Sequence, residues 1–120
     1  MYRTGLMKID DLEAHEKLAL GGLIRVLIRV DGSFSEAEEE ALNAVAEDIG
    51  GADALWRVIS QSAQELRDDD AIRENAQKVV RPEARTMIRE TLEGIALAET
   101  IEPSEQRLLD WVDETWGLKS

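Results

Sequence analysis

Cysteine is absent from the chain, which excludes disulfides, thiolate metal sites and thiol catalysis and leaves the redox compartment open. Histidine occurs once, at His15, so a zinc site built from several imidazoles is excluded and a Ser-His-Asp triad has only this residue to draw on. Proline occurs twice and aromatic residues make up 4% of the sequence. With apolar spacing that is helical almost throughout, this scarcity points to an all-α chain. Positive charge is also scarce. The 14 basic residues face 26 acidic ones, a net charge of -12 that argues against nucleic acid or anionic lipid and favours cationic partners or metal ions. Long hydrophobic runs are missing too. The most apolar stretch, Leu18 to Val30, covers 13 residues and contains Arg25 and Arg29, whereas a membrane span needs roughly 20. It reads as a buried helix. The opening MYRTGLMKIDDLEAHEK holds no uninterrupted apolar stretch and no small-residue cleavage pattern, so no secretory signal and a cytoplasmic location are expected.

At 120 residues the chain suits one domain, expected over 10–120 behind a short arm, 1–9. About six helices are expected in a compact bundle. The first starts near Asp10, with Glu13 completing a capping box, and runs through Leu20, Leu23, Ile24 and Leu27. Its polar strip is narrow (Asp11, His15, Gly22, Arg25, Arg29), so neighbours must cover most of its circumference. Gly21 and Gly22 inside it suggest the close approach of another helix. The second helix starts at Ser35 with Glu38 as its reciprocal cap and ends at Gly50-Gly51. A third begins after Asp53, with Leu55, Ile59, Ala63 and Leu66 inward. A fourth follows the Asp68-Asp69-Asp70 run, with Ile72, Ala76, Val79 and Val80 inward. Pro82 opens the fifth and Pro103 the sixth, which Gly117 closes.

A shift of 67 positions lays IRVDGSFSEAEEEALNAVAEDIG (28–50) over IALAETIEPSEQRLLDWVDETWG (95–117) without a gap. Ile28/Ile95, Glu38/Glu105, Leu42/Leu109, Val45/Val112, Glu47/Glu114 and Gly50/Gly117 are identical, and Phe34 pairs with Ile101. The repeated unit is helix, short loop, capped acidic helix. Two pseudo-symmetric helical hairpins are therefore expected, with Phe34 and Ile101 as buried loop anchors.

The stretch DGSFSEAE (31–38), which closes an apolar helix and opens an acidic one, resembles the TerB-like family of tellurite-resistance proteins. AETIEPSE (98–105) resembles it more weakly, with Ala98-Glu99 in place of Asp-Gly. The resemblance covers both hairpins and implies a compact helical bundle, a role in tellurite resistance or stress response, and divalent-cation binding by acidic loop residues. Asp31 and Glu38 match the first motif, and Glu105 matches Glu38. From the residues themselves, eight carboxylates and no basic group lie between Asp31 and Asp53. Glu99, Glu102 and Glu105 approach them if the hairpins pack together. Such carboxylates at helix N-termini favour a hard cation, Ca²⁺ or Mg²⁺. The same residues also fit a bland reading, since Asp31-Gly32 is a common turn and Ser35 with Glu38 caps a helix without metal. An EF-hand is excluded, because Glu36 stands at the loop position that needs glycine and Leu42 where a bidentate Glu is needed.

His15 reads as a surface or boundary residue, and Trp56, Trp111 and Trp116 as packing residues. Asp68 to Asp70 read as a helix cap. Arg81, Arg85 and Arg89 read as a solvated, charge-paired stripe. Nothing offers a nucleophile with a partnered base, so no enzyme is expected. The expected function is a module that binds a divalent cation, a protein partner, or both; the alternative is a metal-free interaction or homodimerisation domain. If a divalent ion binds only the folded chain, saturation at about a hundred times its dissociation constant adds about 2.7 kcal/mol, a rise of several degrees in melting temperature. After chelator treatment, Ca²⁺ and Mg²⁺ are compared with monovalent salt of equal ionic strength, and Asp31→Asn must lose the divalent-specific rise. A rise that survives the substitution makes Asp31 a turn residue only.

Overall fold

The helix starts follow from local chemistry, and their positions from tertiary contacts. A computed structural model describes residues 7–30, 35–98 and 101–118. Six α-helices and no strand occur among them: α1 (Ala14–Val30), α2 (Glu36–Ile49), α3 (Ala52–Glu65), α4 (Asp69–Ala76), α5 (Pro82–Ala96) and α6 (Pro103–Trp116), preceded by a 3₁₀ turn at Ile9–Asp11. The chain is an all-α bundle, as its periodicity implies.

The first helix begins later than Asp10. The acidic spacing recurs three times in this segment, and two copies are used. Asp11 accepts the Lys8 N–H at 3.0 Å and closes the 3₁₀ turn. Glu16 accepts the Glu13 N–H at 2.7 Å and opens α1. Leu12 between them is extended and buried, and so is Ile9 in the turn, so the end of the expected arm belongs to the core. The Ser35 cap of α2 forms as expected: Ser35 N–H donates to Glu38 Oε1 at 2.9 Å and Glu38 N–H to Ser35 Oγ at 3.1 Å. Gly50 and Gly51, at φ +136° and +108°, reverse the chain into α3 through conformations that side chains resist.

Helix α1 is the centre. Ala19, Leu20, Leu23, Ile24, Val26 and Leu27 are buried, and the helix lies against α3, α4, α5 and α6. Gly21 makes the closest contact possible, for a Cβ built there would sit 2.6 Å from the Val58 carbonyl oxygen and 3.1 Å from Ile59 Cα. The α1 and α3 backbones touch. Gly22, expected on the polar strip, is instead buried, with a hypothetical Cβ 3.1 Å from the Ile72 side chain. Arg25 donates to Ser62 O at 3.2 Å, which also accepts the Leu66 N–H, and to Leu66 O at 2.9 Å, just past the end of α3. Arg29 pairs with Asp69 at the start of α4. The strip is thus a polar seam that closes two neighbouring helices.

Two inward assignments fail. Ala63 is exposed because α3 turns Val58 and Ser62 toward α1, with the Ser62 hydroxyl satisfied by donating to Ile59 O at 2.7 Å. Val80 is 65% exposed because α4 stops at Ala76, after which helical spacing no longer positions it. Helix α3 itself starts at Ala52, just before the expected Asp53. Helix α5 buries Ala84, Met87, Ile88, Thr91, Leu92 and Ile95 as expected, and α6 buries Leu108, Leu109, Val112 and Trp116.

The repeat is legible in the second helix of each unit. Glu38/Glu105, Leu42/Leu109 and Ile49/Trp116 are buried alike, and Gly50/Gly117 both end their helices at positive φ. The packing around them differs. Helix α6 lies on α5 and α1, α2 lies on α5 and α3, and α1 and α2 are not a closely packed pair among the described residues. Insertion of α3 and α4 against α1 takes the place that α2 has in a simple hairpin. Among the described residues no helix is long and apolar enough to cross a membrane.

The Gly21 contact can be tested against helix propensity. Alanine is better than glycine inside a helix by about 1 kcal/mol, yet overpacking typically costs about 1–3 kcal/mol. Gly21→Ala, which meets rigid backbone, is expected to destabilise the chain in urea unfolding, and Gly22→Ala, which meets movable side chains, to be milder. A stabilised Gly21→Ala would show that the helices are further apart.

Candidate functional site

Asp31, Phe34 and Glu99 lie outside the described residues. The other predicted site residues are placed by the helix starts. Glu38 and Glu105 are 4% and 2% exposed, and each receives a hydrogen bond from the residue three positions before it, Glu105 from the Glu102 N–H at 3.0 Å. Glu102 is exposed at the cap of α6, and Ile101 is half-buried against the core. Both repeats therefore bury one carboxylate at the third residue of a helix, where orphan N–H groups and the helix dipole favour negative charge.

The acidic and imidazole groups close enough to share one ion, among the described residues, are Glu13, His15 and Glu16, whose ligand atoms lie within 4.8 Å of one another. Their surroundings oppose a cation. Glu16 is fully buried, and Arg81 donates from Nε to its Oε2 at 2.8 Å and from Nη2 to Oε1 and to Asp11 O. With the Glu13 N–H on Oε1 as well, the guanidinium stands where an ion would. The Arg81 hydrogen bond lowers the Glu16 pKa below 4.5, against the upward push of burial, with help from the Glu13 N–H and the Arg81 charge. A carboxylate held ionised this firmly is a poor proton acceptor. It staples α5 to α1. His15 stands at the edge of this group, half-buried, with Nδ1 3.8 Å from Glu13 Oε1, and its carbonyl accepts from Asn75 Nδ2 at 2.9 Å.

The arginine stripe of α5 is not a solvated face. Arg81 binds Glu16, and Arg85 donates to Val79 O at 2.8 Å and Trp116 O at 3.3 Å. Arg89 forks onto Asp113 at 2.7 and 3.2 Å, which raises its pKa, and faces Glu93 at 3.5 Å. Each cation is spent inside the bundle because the ends of α4 and α6 supply carbonyls and carboxylates beside this face. The tryptophans divide similarly. Trp116 is buried with its indole N–H on Ala76 O at 2.9 Å, Trp111 lies under the Arg73 guanidinium at 4.6 Å, and Trp56 is 37% exposed. Asp68 caps α4 as expected by accepting the Ala71 N–H at 2.8 Å.

The acidic excess on the surface is concentrated on α2. Helix α2 carries Glu36, Glu39, Glu40, Glu47 and Asp48 exposed, with no basic residue in its length. None of these five forms an ion pair with another described residue. Glu36, Glu40, Asn43 and Glu47 recur at helical spacing and so share one face. Comparison with protein-family models, with curated proteins and with solved structures returns no match.

The staple has a signature in pH. Because the folded pKa of Glu16 is depressed, its stabilisation is present above the unfolded value near 4.5 and is lost as pH falls through the folded value. Glu16→Gln, which mimics the protonated form, is expected to melt several degrees below the parent at pH 7, with the gap closing well below pH 4.5. A gap that stays constant across that range would assign the loss to packing.

Proposed function

We propose that the chain is a non-enzymatic, TerB-like helical module that binds a cationic protein partner through the acidic face of α2, in a setting such as tellurite resistance or stress response. The observation that carries this reading is the row of exposed, unpaired carboxylates on α2 beside interior arginines that are all committed. Like charges at i, i+4 on a helix repel by about 0.2–0.5 kcal/mol per pair. A basic partner relieves that repulsion, and no ion pair of these carboxylates with another described residue does. From Glu36 to Glu47 the row extends about 17 Å at the rise of an α-helix. That length suits an extended or helical basic segment better than one ion, whose ligands crowd within about 2.6 Å of it. The TerB-like assignment draws support from the six-helix all-α architecture and the repeated buried capping glutamates. Divalent binding at the loops, through Asp31, Glu38, Glu99, Glu102 and Glu105, remains the companion proposal. Its test is the divalent-specific melt.

The non-enzymatic reading rests on the interior chemistry. The buried charged groups Glu16, Glu38 and Glu105 each accept a backbone N–H at a helix start.

A short helical peptide with lysines at i, i+4 spacing is the probe for the α2 face. Fluorescence anisotropy is expected to show saturable binding that weakens about tenfold or more between low and physiological salt. The triple variant Glu36→Lys, Glu40→Lys, Glu47→Lys is expected to abolish it while retaining the helical circular dichroism. Equal binding by parent and triple variant would remove α2 as the docking face.

A further inference from the structure

A cavity of about 130 Å³ opens between the last turns of α2 and the middle of α5. Its apolar lining is Val45 and Ile49 from α2, Met87 from α5, and Met7, with Ile49 and Met87 buried. On α5, a Cβ at Gly94 would lie 3.1 Å from Val45 Cγ2, so the missing side chain lets α2 approach α5. Thr91 also lines the cavity, but its hydroxyl donates to Met87 O at 2.9 Å and is satisfied within its own helix. Two carboxylates complete the lining, Asp48 and Glu90. Both are exposed, and neither is ion-paired among the described residues. Lys8, beside Met7, directs its ammonium to the Asp48 backbone carbonyl at 3.5 Å.

We propose that this cavity receives a lysine side chain of the protein partner, an inference that rests on the docking role of the α2 face and specifies its anchor. Lysine joins an apolar stem to a compact charged head, and it buries the stem along hydrocarbon while the head stays at the polar edge. The lining has the matching order, with methionine and aliphatic carbon inside and two negative charges outside. A cavity of this size holds roughly four groups of water volume, the number of heavy atoms that lysine carries beyond Cβ. Other occupants fit less well. A purely apolar side chain leaves the two carboxylates without a counter-charge. A divalent ion needs oxygen on most sides, and the apolar lining supplies carbon. A guanidinium is a rigid plane that seeks a bidentate carboxylate rather than two separate ones. Met7 and Met87, unbranched and polarisable, can adjust to the inserted stem.

The test uses the full chain labelled at its methionine methyl groups and titrated with N-acetyl-lysine methylamide by NMR. Saturable shifts of the Met7 and Met87 methyls are expected at millimolar concentration. The Nε-acetylated probe, which keeps the stem and loses the charge, is expected to bind at least about fivefold more weakly, and the arginine analogue to be weaker as well. Asp48→Asn and Glu90→Gln, both at exposed positions, are each expected to weaken the lysine probe about threefold or more without changing the melting temperature materially. Unmoved methyls, an equal response to the acetylated probe, or unchanged affinity in both variants overturns the proposal. The lysine-rich helical peptide separates this outcome from failure of the docking role. If it binds the α2 face of the parent while both methyls stay still, the cavity is not the anchor and the face remains the docking surface. If the peptide fails to bind at all, both readings fall.

Discussion

The bundle depends on the requirement that α1 be covered on nearly every side. Its apolar residues leave so little polar circumference that four other helices must reach it. Fully burying one such Leu or Ile is worth about 1.5–3 kcal/mol, so the six buried side chains along α1 outweigh any single surface interaction. The missing side chain of Gly21 then decides which helix comes nearest. With α3 in backbone contact, the polar strip of α1 meets helix ends, and Arg25 and Arg29 find carbonyls and a carboxylate there. Polar satisfaction follows from the packing. It does not drive it.

Charge is arranged around the same hierarchy. The basic residues nearest the core are committed to it, Arg81 to Glu16, Arg85 to the ends of two segments, and Arg89 to Asp113. Acidic residues outnumber basic ones by 26 to 14, so internal pairing leaves the excess on the surface. Much of it falls on α2, a helix without any basic residue. The net charge of the sequence thus acquires a location, and with it a direction from which a cationic partner is attracted.

Much of the fold was legible because its signals are local. Ser35 with Glu38, Pro82, Pro103, Gly50 and Gly117 mark helix boundaries through backbone chemistry that needs no distant partner, and the six inward residues of α5 follow from spacing alone. The first helix shows where this stops. Asp10/Glu13 and Glu13/Glu16 are equally good boxes locally, and the second is favoured by Arg81, 65 positions away, which sequence spacing does not connect to it. Val80 misled because periodicity continued past the end of α4. For the candidate site, the capping role of Glu38 was legible in its spacing from Ser35, whereas the burial of Glu38 and Glu105 and the commitment of Arg85 and Arg89 to carbonyl and carboxylate groups of other helices were not. The α2–α5 cavity had no sequence signal, because Met7, Val45, Asp48, Met87 and Glu90 meet only through the packing that Gly94 allows.

The end of α2 carries one more consequence. A helix finishes with unpaired carbonyls and a partial negative charge, and cations in the last turn normally offset it. Here Glu47 and Asp48 occupy that turn, and no basic residue does. The one cation that reaches this terminus comes from before α1, the Lys8 ammonium meeting the Asp48 carbonyl at 3.5 Å. A positive charge that docks there adds to a cap that Lys8 only begins, so recognition of a partner and consolidation of α2 become one event.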